Sequence, residues 1–305
     1  MFREYCKVLK NEKVAPGHYV IAFASGRIGK NARPGQFVQI LCSETEDPLL
    51  PRPFSFLTAD KNRFTFLYHV VGRGTEILSQ KKRGESLWVL GPLGNGFDMS
   101  LRGEAEAISL GANQGDRHVR LRRTRDDILL VGGGVGIPPL YHLAETMMKR
   151  QRRLSSSNVL IEDHPDDSPA YRQAGALRGN DVHVFLGARD KALLLCEKEF
   201  KKLDVTMHIA TDNGSRGHRG FITELLGRHL AGGTGATIYT CGPTAMMKAV
   251  SVLAQKYEVP CEVSVEVPMA CGFGACLGCA VRVRDRFAIA CTEGPVFEGK
   301  DILWD

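Results

Sequence analysis

The densest chemistry in the sequence is a set of four cysteines near its C-terminal end: Cys271, Cys276, Cys279 and Cys291. They read C-x4-C-x2-C, with eleven residues before the fourth. Thiolates at this plant-type spacing suit a [2Fe–2S] cluster. The residues between them are Gly272-Phe273-Gly274-Ala275 and Leu277-Gly278. Small residues let backbone N–H groups approach sulfur, and glycines permit the positive φ values that a tight wrap requires. Four thiolates also suit zinc. Zinc sites usually pair two C-x2-C knuckles, and only one is present here, which favours iron–sulfur. The other five of the nine cysteines (Cys6, Cys42, Cys196, Cys241 and Cys261) are scattered. An odd, scattered set in 305 residues does not read as a secreted disulfide framework.

A second candidate site is the glycine turn Gly132-Gly133-Gly134-Val135-Gly136, between Ile128–Val131 and Ile137-Pro138-Pro139-Leu140. A strand, then glycines, then a helix start is where an open α/β sheet places a pyrophosphate. The prolines suit a first helical turn, where no N–H partner is lost. The turn lacks the G-x-G-x-x-G fingerprint, so a tight strand–helix connection without a ligand stays open. A third candidate combines Arg52-Pro53-Phe54-Ser55 with Gly72-Arg73-Gly74-Thr75. An arginine, two glycines and a threonine at a helix start could form another phosphate cradle. The Ser55 hydroxyl could meet a redox-active ring nitrogen. Taken alone, either piece reads more readily as β-barrel scaffolding than as a site.

These residues need elements to hold them. Residues 4–100 read as short β-runs separated by Pro16-Gly17, Pro34-Gly35 and Lys61-Asn62, which predicts a small antiparallel barrel. The runs include 19–24, 36–41, 53–58, 63–71 and 86–90, with a short helix over 75–82. From residue 127 the rhythm becomes alternating β and α. Strands are predicted at 127–131, 182–187, 205–210, 236–240 and 261–265, with helices near 191–202, 221–230 and 243–257. That order predicts a doubly wound parallel sheet. The expected division is a barrel domain over 1–100, a linker or insertion over 101–126, a nucleotide domain over 127–265 carrying an insertion at 151–180, and a cysteine subdomain over 266–305.

The net charge of +6 has a local source in Arg117, Arg120, Arg122, Arg123 and Arg125, and in Lys149, Arg150, Arg152 and Arg153. Without these nine charges the remainder is slightly acidic. Neither run has interleaved aromatics, so both read as solvated surface rather than a nucleic-acid site. The start of the sequence shows no secretory signal, and no apolar stretch is long enough to span a membrane. The expectation is a cytoplasmic protein.

The order Arg52-Pro53-Phe54-Ser55, Gly72-x-Gly74-Thr75, Gly132–Gly136, Cys241-Gly242-Pro243 resembles the ferredoxin–NADP⁺ reductase superfamily. Within it, three stretches closely resemble the electron-transfer subunits of class 1B dihydroorotate dehydrogenases: Glu266-x-x-Met269-Ala270-Cys271-Gly272-x-Gly274-Ala275-Cys276-x-Gly278-Cys279, Cys291-x-x-Gly294-Pro295-Val296-Phe297 and Thr211-Asp212-Asn213-Gly214-Ser215. That family usually has two consecutive acids where this chain has Asp212-Asn213. The resemblance implies a Greek-key flavin barrel, an α/β nicotinamide-nucleotide domain and a small C-terminal [2Fe–2S] subdomain. It implies FAD held by Arg52, Pro53, Phe54 and Ser55, by backbone groups of His69, Val70 and Val71, and by Gly72, Gly74 and Thr75. It implies NAD at Gly132, Gly133, Gly134 and Gly136, with Cys241, Gly242 and Pro243 near the nicotinamide. Ser55 and Cys241 are then the residues closest to the chemistry. It further implies a relay in a heterotetramer with an FMN-containing catalytic subunit: electrons from dihydroorotate enter through the cluster, reach FAD singly and leave as hydride to NAD⁺. No orotate site is expected in this chain. NAD against NADP stays open at Gly187-Ala188-Arg189-Asp190, where an arginine and an acid adjoin. The alternatives are a reductase subunit serving a ferredoxin or sulfide dehydrogenase partner, and a zinc-stabilised nucleotide-binding module without redox activity.

Overall fold

A computed structural model describes residues 1–99, 127–156, 182–233 and 235–304. The expected linker or insertion at 101–126 and most of the insertion at 151–180 lie outside these residues. The first helix of the nucleotide domain continues to Ser156, so the start of the second expected insertion is helical.

The N-terminal half is a seven-stranded antiparallel sheet. Its strands are β1 (Phe2–Ala15), β2 (His18–Ala24), β3 (Phe37–Ile40), β4 (Arg52–Ser55), β5 (Thr58–Ala59), β6 (Arg63–His69) and β7 (Ser86–Leu93), in the order β4-β3-β7-β1-β2-β6-β5. Alternating side chains put Val8, Ile21, Phe23, Val38, Ile40, Phe64 and Phe66 inside, in the period-2 pattern of a strand with one wet face. The sheet curls until Phe54 of β4 stacks on Phe66 of β6, 4.5 Å between ring centres and nearly coplanar. Two helices decorate it, α1 (Ile28–Asn31) and α2 (Arg73–Gln80).

The second half is a parallel sheet with helices on both faces. Strands β8 (Asp127–Gly133), β9 (Val182–Ala188), β10 (Thr206–Thr211), β11 (His218–Arg219), β12 (Ala236–Cys241) and β13 (Cys261–Ser264) alternate with α3 (Ile137–Ser156), α4 (Glu197–Phe200), α5 (Ile222–Leu230) and α6 (Thr244–Lys256). The near-continuous apolar runs Ile128–Val131 and Val184–Leu186 fit strands covered on both faces. Ile128, Leu130 and Val184 face α3, while Leu129, Val131 and Phe185 face α5 and α6.

The cysteine unit is less separate than the sequence implies. It has its own hairpin, β14 (Ala280–Val283) with β15 (Arg286–Ile289). Its last strand, β16 (Val296–Glu298), pairs antiparallel with β13 and forms an edge of the nucleotide sheet. Asn95, just past β7, donates from its backbone N–H to Gly294 O and from its side chain to Thr292 O and Glu293 O. One buried cluster contains Phe37 and Leu93 from the barrel, Val131 and Val263 from the parallel sheet, and Cys279, Val281, Ala288 and Cys291 from the cysteine unit. The three units therefore share a core.

The glycine turn packs backbone against backbone. A Cβ on Gly136 would lie 2.3 Å from Gly242 N and 2.4 Å from Cys241 C, so only hydrogen fits there. Replacing Gly136 by Ala is expected to cost about 1–3 kcal/mol through overpacking. Denaturant unfolding checks this, with Gly26→Ala as a control that meets nothing within 4 Å and shifts the midpoint little.

Candidate functional site

The barrel candidates converge at one end of β4. A Cβ on Gly74 would come 3.1 Å from Arg52 Nε, so the glycine lets the guanidinium lie against the first turn of α2. Arg52 Nη1 donates to Leu50 O at 2.6 Å, which fixes its direction. A fixed cation beside a helix N-terminus is a site for a phosphate. Thr75 has a supporting task in this loop. Its Oγ1 accepts from Val71 N at 3.0 Å and Gly72 N at 3.2 Å and donates to Gly72 O. What Thr75 offers a ligand is thus its backbone N–H. Val70 N donates to Gly17 O, so the N–H groups of Val70 and Val71 are both engaged within the protein. Phe54 stands between Phe66 and Tyr68, in edge contact with Tyr68 at 5.8 Å, and Ser55 follows it on β4. This combination of a phosphate cradle with an aromatic wall fits a flavin nucleotide.

Of the nucleotide candidates, Gly133, Gly134, Gly136, Gly242 and Pro243 line a cleft of about 630 Å³ at the C-terminal ends of the parallel strands, and Gly132 lies outside its lining. Gly133, Gly134 and Gly136 form one wall, and Gly242, Pro243 and Met246 another. The barrel contributes His69, whose ring stacks on His18 at 4.3 Å. This is the edge at which α/β sheets bind ligands, and bare backbone on two sides fits a dinucleotide. Cys241 itself lies beneath that surface, 1% exposed. Burial, with the Glu266 carboxylate nearby, holds its thiol well above the ordinary range, so it is neutral. Glu266 lines the cleft, and burial raises its pKa.

Two acids trade places relative to the sequence alternative. The Asp190 carboxylate accepts from Ala192 N at 2.8 Å and Leu193 N at 3.2 Å, capping a short 3₁₀ turn. Asp212 lines the cleft instead, together with Arg189. The sequence offered no way to separate a capping acid from a lining one.

The cysteine loop brings its four sulfurs together, each beside a backbone N–H. Gly274 N donates to Cys291 Sγ at 3.1 Å, Cys276 N to Cys271 Sγ at 3.5 Å, Gly278 N to Cys276 Sγ at 3.5 Å, and Cys291 N to Cys279 Sγ at 3.4 Å. Burial raises the Cys271 pKa, but N–H groups of Cys276, Phe273 and Ala275 outweigh it and the net shift is downward. The sulfurs also pair, Cys271 with Cys276 and Cys279 with Cys291. Among the described residues, no three cysteine sulfurs converge within 4.8 Å. A single tetrahedral zinc would draw all four to about 3.8 Å apart, given Zn–S near 2.3 Å. Two pairs fit a two-metal core better.

Gln39 escaped the sequence reading. It is 2% exposed on β3, and among the described residues neither its Oε1 nor its Nε2 has a hydrogen-bond partner. A Cβ on Gly272 would lie 2.6 Å from Gln39 Cγ, so this amide sits directly under the cysteine loop. β3 pairs with β4, where Gln39 stands opposite Pro53.

Comparison with known proteins agrees with this assembly. The family described as "Iron-sulfur cluster binding domain of dihydroorotate dehydrogenase B" matches residues 266–303, and "Oxidoreductase NAD-binding domain" matches residues 130–252. The dihydroorotate dehydrogenase B (NAD(+)) electron transfer subunit of Desulforamulus reducens is 37% identical, covering 98% of this chain and 97% of that protein. Its counterpart in a Geobacillus species is 32% identical, covering 99% of each. Among solved structures, an NADH-dependent reduced ferredoxin-NADP oxidoreductase superposes with a TM-score of 0.74 at 29% identity, covering 99% of this chain and 91% of that one. A ferredoxin NADP+ reductase from Neisseria gonorrhoeae shares the fold, with a TM-score of 0.54 at 14% identity and coverage of 84% and 91%. The chain belongs to the family of electron transfer subunits of dihydroorotate dehydrogenase B.

Proposed function

We propose that this chain reduces NAD⁺ with electrons received from a separate dihydroorotate-oxidising subunit that carries FMN, in a cytoplasmic heterotetramer. The observation that carries the reading is the shared core: the cysteine loop rests on the flavin barrel through Gln39 and on the nucleotide sheet through β16. Such a framework holds a one-electron centre and a hydride acceptor in fixed relation to the barrel between them.

A bound FAD supplies the conversion between single-electron and hydride traffic, and a bound [2Fe–2S] cluster supplies the single-electron port. The protein's part is positioning. Arg52 and the N–H groups at the start of α2, including those of Gly74 and Thr75, hold the FAD pyrophosphate. Phe54 lines the isoalloxazine, and Ser55 offers it a hydroxyl. His69, Val70 and Val71 hold its polar edge, with carbonyls as the free groups of Val70 and Val71. Gly132–Gly136 admit the nicotinamide nucleotide against bare backbone. Cys241, Gly242 and Pro243 close the cleft behind the nicotinamide, and a neutral buried thiol keeps that wall uncharged. Asp212 accepts from a ribose hydroxyl, which favours NAD over a 2′-phosphate. Cys271, Cys276, Cys279 and Cys291 ligate the cluster.

Cys276 is exposed, and so are Phe273 and Leu277 beside it, at 49% and 61%. Two apolar side chains flanking an exposed ligand mark where the electron donor docks.

Three outcomes are expected. Cys276→Ser removes the long-wavelength cluster absorption while FAD stays bound; a visible spectrum checks it, and unchanged cluster bands would refute the ligand assignment. Asp212→Asn raises KM for NADH about tenfold, the cost of one hydrogen bond to a charged group, and changes KM for NADPH less; steady-state kinetics decide. Purification with the FMN subunit yields a complex that reduces NAD⁺ on addition of dihydroorotate, and Leu277→Ser weakens that association by about tenfold or more. Failure of the two chains to associate would overturn the proposed partner.

A further inference from the structure

The edge of the parallel sheet opposite the nucleotide cleft carries a group that the relay leaves unused. His183 is the second residue of β9, His208 the third of β10, and His229 sits in the last turn of α5. One ring nitrogen from each lies within 4.8 Å of the others. His183 Nδ1 is 3.1 Å from His208 Nε2. That is close to the edge of about 3.3 Å expected between imidazole nitrogens on a tetrahedral cation at 2.0–2.1 Å. All three rings are partly buried.

We propose that His183, His208 and His229 form a three-imidazole site for a divalent transition-metal cation, with zinc as the type. Three further observations support it. Asp127, the first residue of β8, places Oδ2 3.8 Å from His183 Nε2 and 3.5 Å from His229 Nε2. Its negative charge beside the rings favours a cation among them, and a carboxylate is the usual outer partner of a metal-bound imidazole. His229 Nε2 is buried and has no hydrogen bond among the described residues. Finally, His229 sits in the last turn of α5, where the helix dipole favours a cation.

The competing account is aromatic packing joined to a hydrogen bond between His183 and His208. His208 stacks on Phe185 at 4.3 Å, and His183 lies 4.5 Å from His229. That account explains two of the imidazoles. It gives no reason for the third, or for a carboxylate at the same place. The site joins β8, β9, β10 and α5 by their ends, so an ion there clamps the nucleotide sheet from the side away from the cleft. Three imidazoles suit zinc, copper or nickel rather than magnesium or calcium, and leave a fourth position for water.

The test uses the full-length chain with FAD and cluster loaded, washed with a mild chelator and titrated with Zn²⁺ against a chromophoric competitor. One equivalent should bind, with a zinc-edge X-ray absorption spectrum showing a nitrogen and oxygen shell, imidazole scattering and no sulfur. His208→Phe, which keeps the stack, should weaken binding at least about 100-fold while flavin and cluster spectra stay unchanged. Asp127→Asn should weaken it about 10–100-fold. Should His208→Phe fail to fold, Asp127→Asn decides alone. A sulfur shell, no stoichiometric zinc, or undiminished affinity in the folded variants would overturn the site, leaving the redox assignment untouched.

Discussion

The structure depends on one continuous apolar core that no single unit owns. Phe37 and Leu93 of the barrel, Val131 and Val263 of the parallel sheet and Ala288 of the cysteine unit are buried in the same cluster. Each unit alone would expose the surface it now shares, and exposure of that much apolar area is costly. The core thus sets the relative placement of the three sites more firmly than any linker could. On the opposite face of the sheet, Leu57, Leu67 and Phe97 of the barrel pack with Leu140 and Leu186, so the barrel grips the nucleotide domain on both sides.

Against this rigid background, the polar groups at the sites are sparse and mostly committed. Thr75, Asp190 and Asn95 each spend their side chains holding backbone. The surfaces left for ligands are consequently backbone surfaces: the α2 start, the Gly132–Gly136 turn, and the N–H groups around the sulfurs. Sites built from main chain tolerate wide sequence change while keeping their geometry, because a main-chain N–H survives most substitutions. That is consistent with relatives only 32–37% identical aligning along nearly the whole chain.

Much of this was legible in the sequence, for identifiable reasons. The parallel strands announced themselves because a sheet covered on both faces needs unbroken apolar runs such as Ile128–Val131. The cysteine spacing and the glycine turn were legible because their chemistry is local. β1 was harder: its outward positions carry Arg3, Lys7 and Lys10, so only alternate residues such as Cys6 and Val8 report burial. What stayed hidden was everything made by distant partners. The pairing of β16 with β13, the unsatisfied amide of Gln39, the exchange between Asp190 and Asp212, and the meeting of His183, His208 and His229 each require the fold before they exist. No spacing rule connects residues 183, 208 and 229.

The placement of β16 also has a consequence for the order in which the molecule can be completed. Synthesis proceeds from the N-terminus, so β13 leaves the ribosome more than thirty residues ahead of the strand that covers it. Until Val296–Glu298 emerge, the growing chain carries an open edge of unpaired N–H and C=O groups, a template for pairing with other chains. Any product ending before residue 296 keeps that edge for good. Val296–Glu298 therefore act as a seal on β13, and a copy that ends before them is marked by a sticky edge.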